Sequence, residues 1–397
     1  MPITGRTETM HSSMRMRPFA QQETPMWNRF LISITLCFST MCAHSADWVI
    51  AQVAPMSGPL GANGMANYVG AKAYFDQVNA EGGVAGRSIR LLSEDDRYAP
   101  EENVRLLKLV AQRDRPMAFI NLLGSATVTA LLKDQTLEKL EIPAVGITPG
   151  ADSLRSPGSP WMFHIHAGDN AQLGRILKHL STIGTTRVAI AYQDLPFGKS
   201  GLAFADSLAP KLKLAITHRV AVPMGSDDLK LAASELVKSG AQAYVMILAP
   251  NSGSSLIRDL RQAGNSTPVY GMSYVPVKGI IDKSSVSSAE GVALAQITPN
   301  PSTRTTGLTR AFHETMQRHA PPGTDPSQLH LVGYLAARVV TEGLRRAGPD
   351  ATPKQLAKTL HSVRMDLGGY NIDFAGGNVG SQFVDIGVIG RSGRLVY

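Results

Sequence analysis

The feature that constrains this chain most is an alternation that runs, stops and starts again. WVIAQVAP at 48–55 is an apolar strand, and 61–83 carries apolar or small residues at helical spacing until Gly82-Gly83. RSIRLLSEDD at 87–96 reads as a strand, and PEENVRLLKLVAQRD at 100–114 as a helix opened by Pro100 and early glutamates, which the helix dipole favours. PMAFIN at 116–121, TVTALLKDQTLEKL at 127–140 and IPAVGI at 142–147 continue as strand, helix and strand. Such alternation predicts a parallel sheet covered by helices on both faces.

A Pro/Gly-rich linker over 148–160 follows, and then the pattern restarts. Strands are expected at 161–166, 187–192, 214–222, 243–248 and 268–272. Helices are expected over 169–183, from Phe197, from Asp227 to Lys238 and over 253–263. The stretch 303–347 reads as helical across Pro321-Pro322-Gly323, and YNIDFAG and FVDIGVI near the end read as strands. The fold class is therefore α/β, with two Rossmann-like lobes. Ligands of open α/β sheets sit beyond the carboxyl ends of the strands. That rule points to loops 55–64, 95–99, 121–126, 148–152, 193–198, 249–253 and 272–276.

One of those loops invites a sharper reading. Gly198-Lys199-Ser200 follows an apolar strand and opens a helix, as in a phosphate-cradling loop. The motif needs a glycine five positions earlier, where this chain has Gln193, and Pro196 removes an N–H donor. The segment reads better as an ordinary strand-to-helix turn.

The amino-terminal stretch is different. Basic Arg15, Arg17 and Arg29 precede an uncharged run, FLISITLCFSTMCA at 30–43, which is short for a membrane span of about 20 residues. Small residues follow, Ala43-His44-Ser45, so residues 1–46 read as a cleaved secretory signal peptide, with export to the periplasm expected. Both cysteines, Cys37 and Cys42, fall in that leader, which leaves no thiol chemistry for the mature chain. The net charge of +8 drops to +6 without the leader's four arginines and two glutamates. The charge is dispersed and aromatics make up only 6% of the chain, so no nucleic-acid partner is expected.

Enzymatic constellations are hard to assemble. His164 and His166 share a strand face but have no third ligand nearby in sequence, so no metal site is expected. Gly271-Met272-Ser273-Tyr274-Val275 supplies half of a serine-nucleophile elbow, and Gly58, Gly61 and Gly64 lack the dinucleotide spacing. No cofactor and no catalytic activity are expected; a secreted hydrolase is the weaker alternative.

The order and spacing of several short stretches are more specific. Pro55-Met56-Ser57-Gly58-Pro59-Leu60 with Gly64, Asn79 to Arg87, Asp95-Asp96 with Pro100, the Ser125 loop, Thr148-Pro149-Gly150-Ala151, Phe197-Gly198 and Leu260 to Gly264 resemble the leucine/isoleucine/valine-binding protein family. These are type I periplasmic substrate-binding proteins of ABC importers, and the likeness runs from about 48 to 390. It implies two lobes joined by a three-strand hinge. The restart of the strand–helix pattern at 161 and the return to helices after 300 also place chain crossings near 166, 297 and 370, so one lobe would hold 47–166 plus 298–370 and the other 167–297 plus 371–397. The resemblance further implies a monomer that delivers a small polar ligand, a branched-chain amino acid or a related carboxylate or amide, to a permease in the inner membrane. A ligand-sensing receptor or regulator module of the same fold is the alternative.

The resemblance also carries site residues. The Ser125 hydroxyl and the backbone N–H groups of Gly124, Ser125, Gly150, Ala151 and Asp152 would grip the ligand's anionic or polar end from the first lobe, with Asn63 beside them. Phe197, Ser252, Ser273 and Tyr274 would face them from the second. Three positions depart from the amino-acid binders: Asp152 replaces a hydroxyl residue, Ser273 an acid and Asn63 an aromatic. Asp152 either meets a ligand ammonium or turns away as a helix cap, a role Asp favours.

Overall fold

The computed structural model describes residues 15–16 and 46–397, so the expected signal peptide lies almost wholly outside the described residues. The first sheet has five parallel strands: β1 (Trp48–Ala54), β2 (Ile89–Asp95), β3 (Ala118–Ile120), β4 (Ala144–Val145) and β5 (Met162–Phe163), in the order β2-β1-β3-β4-β5. The inner strand β1 is apolar nearly throughout because both of its faces are packed in cores, Trp48 and Ile50 on one side and Ala51 and Val53 on the other. Its one polar residue, Gln52, is fully buried and paired: it donates to Gly64 O at 2.9 Å and accepts from Asn121 Nδ2 at 2.9 Å.

Helices α1 (Gly61–Ala80), α2 (Pro100–Asp114), α3 (Ser125–Asp134) and α4 (Thr136–Leu140) make the crossovers. The single helix expected over 127–140 is broken at Gln135, which adopts a left-handed φ of 53°. The Thr136 hydroxyl donates to Asp134 at 2.7 Å across that break.

In the second half come α5 (Asp169–Thr182), β6 (Arg187–Gln193), α6 (Pro196–Leu208), β7 (Ala215–Val222), α7 (Lys230–Lys238), β8 (Ala243–Ile247), α8 (Pro250–Gln262), β9 (Val269–Gly271), α9 (Val277–Lys283), α10 (Val286–Ala289) and β10 (Ala293–Gln296). The chain then runs through α11 (Gly307–His319), α12 (Gln328–Ala347) and α13 (Pro353–Leu360), and through the strands β11 (Arg364–Asp366), β12 (Asn371–Asp373), β13 (Asp385–Ile389) and β14 (Leu395–Val396). The second sheet has the order β14-β13-β10-β9-β8-β6-β7, parallel from β7 to β10 and antiparallel through β13 and β14.

The carboxy-terminal helices return to the first sheet. Leu308, Phe312, Leu331, Leu335 and Val339 are buried in one core with Trp48, Phe75 and Ile120. Contact between α1 and α12 is backbone to backbone: a Cβ on Gly70 would lie 1.9 Å from His330 O, and one on Gly333 would lie 1.9 Å from Asn67 O. Two corrections arise here. The prolines near 321 separate α11 from α12, so 303–347 is not one helix. The boundary expected after 370 falls later: β12 pairs with β11, Ile372 and Phe374 are buried in the first core, and the chain reaches the second sheet only at Asp385. Helix α13 is absent from the sequence reading, although Thr352 accepts from Gln355 N in a capping box just before it.

Candidate binding site

A cavity of about 70 Å³ opens at the carboxyl ends of both parallel sheets. Four groups converge on it from the first half of the chain. Ser125 is the first residue of α3, fully buried, and its Oγ accepts the Ala151 N–H at 3.0 Å. That leaves the hydroxyl proton free to donate, beside the N–H groups that open α3. Tyr98 lies against Gly124; its position is set by Asp96, whose buried carboxylate accepts from Tyr98 N at 2.8 Å and Asn103 Nδ2 at 2.7 Å. Burial pushes the Tyr98 hydroxyl up to about 12, so it stays protonated. The Thr148 hydroxyl faces His166 Nε2 at 3.1 Å. The other ring nitrogen, Nδ1, sits 2.9 Å from Ala167 O, which requires a proton there and leaves Nε2 as the acceptor. Burial, reinforced by the Arg155 charge, holds His166 down at about 3 and therefore neutral.

Arg155 is the fourth group. It is 4% exposed and lines the cavity. Nε and Nη2 donate to Pro149 O at 3.3 and 2.9 Å, and Nη1 donates to His166 O at 2.9 Å. Only carbonyls take these bonds, which leaves two of its five N–H groups unused.

The opposite wall begins with Asp169, the first residue of α5. Burial raises its carboxyl to about 7; the Arg155 charge opposes that rise and the Asp152 charge adds to it. Tyr274 Oη donates to Asp169 at 3.4 Å, and Tyr274 meets Phe197 edge to face at 5.9 Å between centroids. Gly150 is where the walls touch: a Cβ there would lie 2.5 Å from Asp169 Oδ2 and 3.0 Å from Phe197 Cβ. Polar bonds cross the gap as well. Asn63 Nδ2 donates to Tyr274 O at 3.3 Å, and Gln328 Nε2 donates to Ser273 O at 3.0 Å. Gln172 Oε1 accepts the Ser273 N–H at 3.0 Å.

Of the residues expected in the site, Asn63, Gly124, Ser125 and Gly150 line the cavity, as do Phe197, Ser273 and Tyr274. Three do not, and each absence has a physical reason. Ala151 spends its N–H on Ser125. Asp152 turns away as a cap, accepting the Asn170 N–H at 2.7 Å at the start of α5, a helix other than its own. Ser252 is buried within the first turn of α8, and Ala249 before that helix reaches the cavity instead. Lys199 is 62% exposed and pairs with Asp194 at 2.7 Å, away from the lining. His164 bonds Ile147 O through Nδ1, and no metal-holding group of three His, Cys, Asp or Glu exists among the described residues.

Sequence reasoning missed Asn67, Arg155, His166, Asp169, Gln172 and Gln328. Asp169 and Gln172 open a helix just after the lobe crossover, outside the loops at the strand ends. Gln328 arrives from the far end of the chain, where no local signal marks it.

Comparison with known proteins identifies what this arrangement belongs to. The model of a family described as periplasmic binding protein matches residues 47–382. The chain belongs to the periplasmic binding protein family. Among its relatives, the Leu/Ile/Val-binding protein homolog 8 of Brucella abortus (strain 2308) is 23% identical over 389 residues, covering 92% of this chain and 93% of that one. An extracellular ligand-binding receptor from Verminephrobacter eiseniae ef01-2 superposes with a TM-score of 0.82 at 34% identity, over 88% of this chain and all of the other (100%). A substrate-binding periplasmic protein from Ralstonia solanacearum gives a TM-score of 0.84 at 29% identity, over 88% and 99% of the two chains. The fold of this periplasmic binding protein is thus the type I arrangement of two parallel-sheet lobes.

Proposed function

We propose that this binding protein works in the periplasm, holds one small amino-acid-like molecule between its lobes and hands it unchanged to an ABC importer. The observation that carries the reading is the polarity of the cavity. On one side stand the Ser125 hydroxyl, the α3 amino terminus and the spare N–H groups of Arg155, all suited to a carboxylate. On the other stand Asp169 and the Tyr274 hydroxyl, suited to an ammonium. An ammonium beside Asp169 would draw off its proton, so that the pair forms with both partners charged.

The same geometry argues against turnover. The one hydroxyl–imidazole pair in the lining is Thr148 with His166, and burial makes that imidazole too weak a base to activate an alcohol near neutral pH. Its Nδ1 meets a backbone carbonyl rather than a carboxylate. The chain segments that join the two sheets would act as the hinge, and the Phe197–Tyr274 pair would cover the bound molecule.

The test is to purify the mature protein, denature it and identify what it releases by mass spectrometry. One small polar molecule, recovered intact after incubation with fresh protein, is expected. Steady consumption of that molecule would overturn the reading.

A further inference from the structure

The end of the cavity formed by α1 has a chemistry of its own. Asn63 and Asn67 are one turn apart on α1 and line the cavity together, at 1% and 2% exposure. Neither Oδ1 has a hydrogen-bond partner. The orientation of Asn63 is fixed, because its Nδ2 must face the Tyr274 carbonyl; reversing the amide would oppose two acceptors. The backbone of Asn67 lies directly under Gly333 of α12, and no bond through its amide fixes which edge faces the cavity, so a donor-bearing ligand selects the oxygen-inward orientation. Leu60, Leu329 and Val332 also line the cavity, together with the amide of Gln328, whose Nε2 donates to Ser273 O. Two buried, orphaned acceptors are costly to maintain unless something donates to them.

We propose that the ligand turns N–H or O–H donors toward Asn63 and Asn67, so that its far end is an amide or hydroxyl group rather than an aliphatic branch. This rests on the reading of the site as a binder of a small amino-acid-like molecule, and it deepens that reading by naming the side-chain class. An aliphatic isostere fills the same volume and leaves both oxygens unpaired. Sites built to hydrogen-bond a substrate group discriminate strongly against analogues that lack it.

Titration calorimetry with near-isosteric pairs tests this. The probes are L-asparagine against L-leucine, L-threonine against L-valine, and malonamate against 3-methylbutanoate, the last pair lacking an ammonium. Within each pair that binds, the donor-bearing member should bind at least about tenfold tighter. Asn67→Leu, which conserves volume, should bring the two members to within about threefold or reverse the order, whereas Asn67→Asp, which keeps an acceptor, should retain the preference. Circular dichroism and thermal unfolding establish that each variant is folded. If only the malonamate pair binds, the amino-acid reading falls and the donor preference is judged on that pair. Equal or tighter binding of the aliphatic member, no effect of Asn67→Leu, or no binding by any of the six probes would overturn the inference.

Discussion

Ser125 shows how one hydroxyl can serve fold and site at once. Its oxygen accepts from Ala151 N and its proton remains available to a ligand. Ser125→Ala should weaken ligand binding roughly tenfold to a hundredfold, the worth of a hydrogen bond to a charged group. It should also lower stability by about 1–3 kcal/mol, because the Ala151 N–H loses its partner in a buried place. Calorimetry and chemical unfolding separate the two effects. Asp169 makes a pH prediction. Its folded carboxyl titrates near 7, above its ordinary value of 3.8. The stability it contributes is therefore full below about pH 4 and is lost as pH rises through about 7. Without ligand, Asp169→Asn should match the wild type in thermal unfolding at pH 4 and exceed it at pH 8; a gap that does not change with pH would contradict the assignment. Asp169 also marks where sequence reasoning stopped. Ser125, Gly150 and Phe197 sit in loops that the strand-end rule selects, whereas Arg155 lies past the end of the 148–152 loop and Asp169 opens the helix after the crossover, outside that rule's reach.

Among the helices, the α1–α12 contact decides most. Glycine at 70 and 333 lets two helices meet at backbone distance, which carries Gln328 to the cavity and pins Asn67 at its wall. Gly333→Ala would place a methyl 1.9 Å from Asn67 O and must push the helices apart. A loss of about 3 kcal/mol or more in urea unfolding is expected, at the upper end of overpacking costs, together with weaker ligand binding. Unchanged stability would mean that the helices meet elsewhere. The strands and most helices of both sheets were legible because apolar runs and 3.6-residue periodicity report burial directly. The break at Gln135 was not, because it depends on a local hydrogen bond, Thr136 to Asp134, rather than on periodicity; helix α13 did carry a signal that the sequence reading passed over, Thr352-x-x-Gln355 before Leu356, Ala357 and Leu360 at helical spacing. Gln328 was invisible for a different reason: its place in the site comes from a helix contact between residues far apart in sequence.

Taken as a molecule, the protein gathers polar groups from two sheets that the chain visits in turn. The restarted strand–helix pattern announced both sheets, and the expected return of 298–370 to the first lobe agrees with the packing of α11 and α12 on the first sheet. What the fold produces is a gap whose sides are chemically unlike: hydroxyls and a guanidinium on one, an acid and two aromatics on the other. The GKS segment that first suggested a phosphate cradle lies outside that gap, with Lys199 in solvent beside Asp194. The most direct measurement is titration calorimetry of Ser125→Ala, Phe197→Ala and Lys199→Ala with the molecule that the purified wild-type protein releases. Ser125→Ala and Phe197→Ala should each bind at least about tenfold more weakly, and Lys199→Ala should bind like the wild type. Abolished binding in Lys199→Ala, with Ser125→Ala and Phe197→Ala unaffected, would contradict the account.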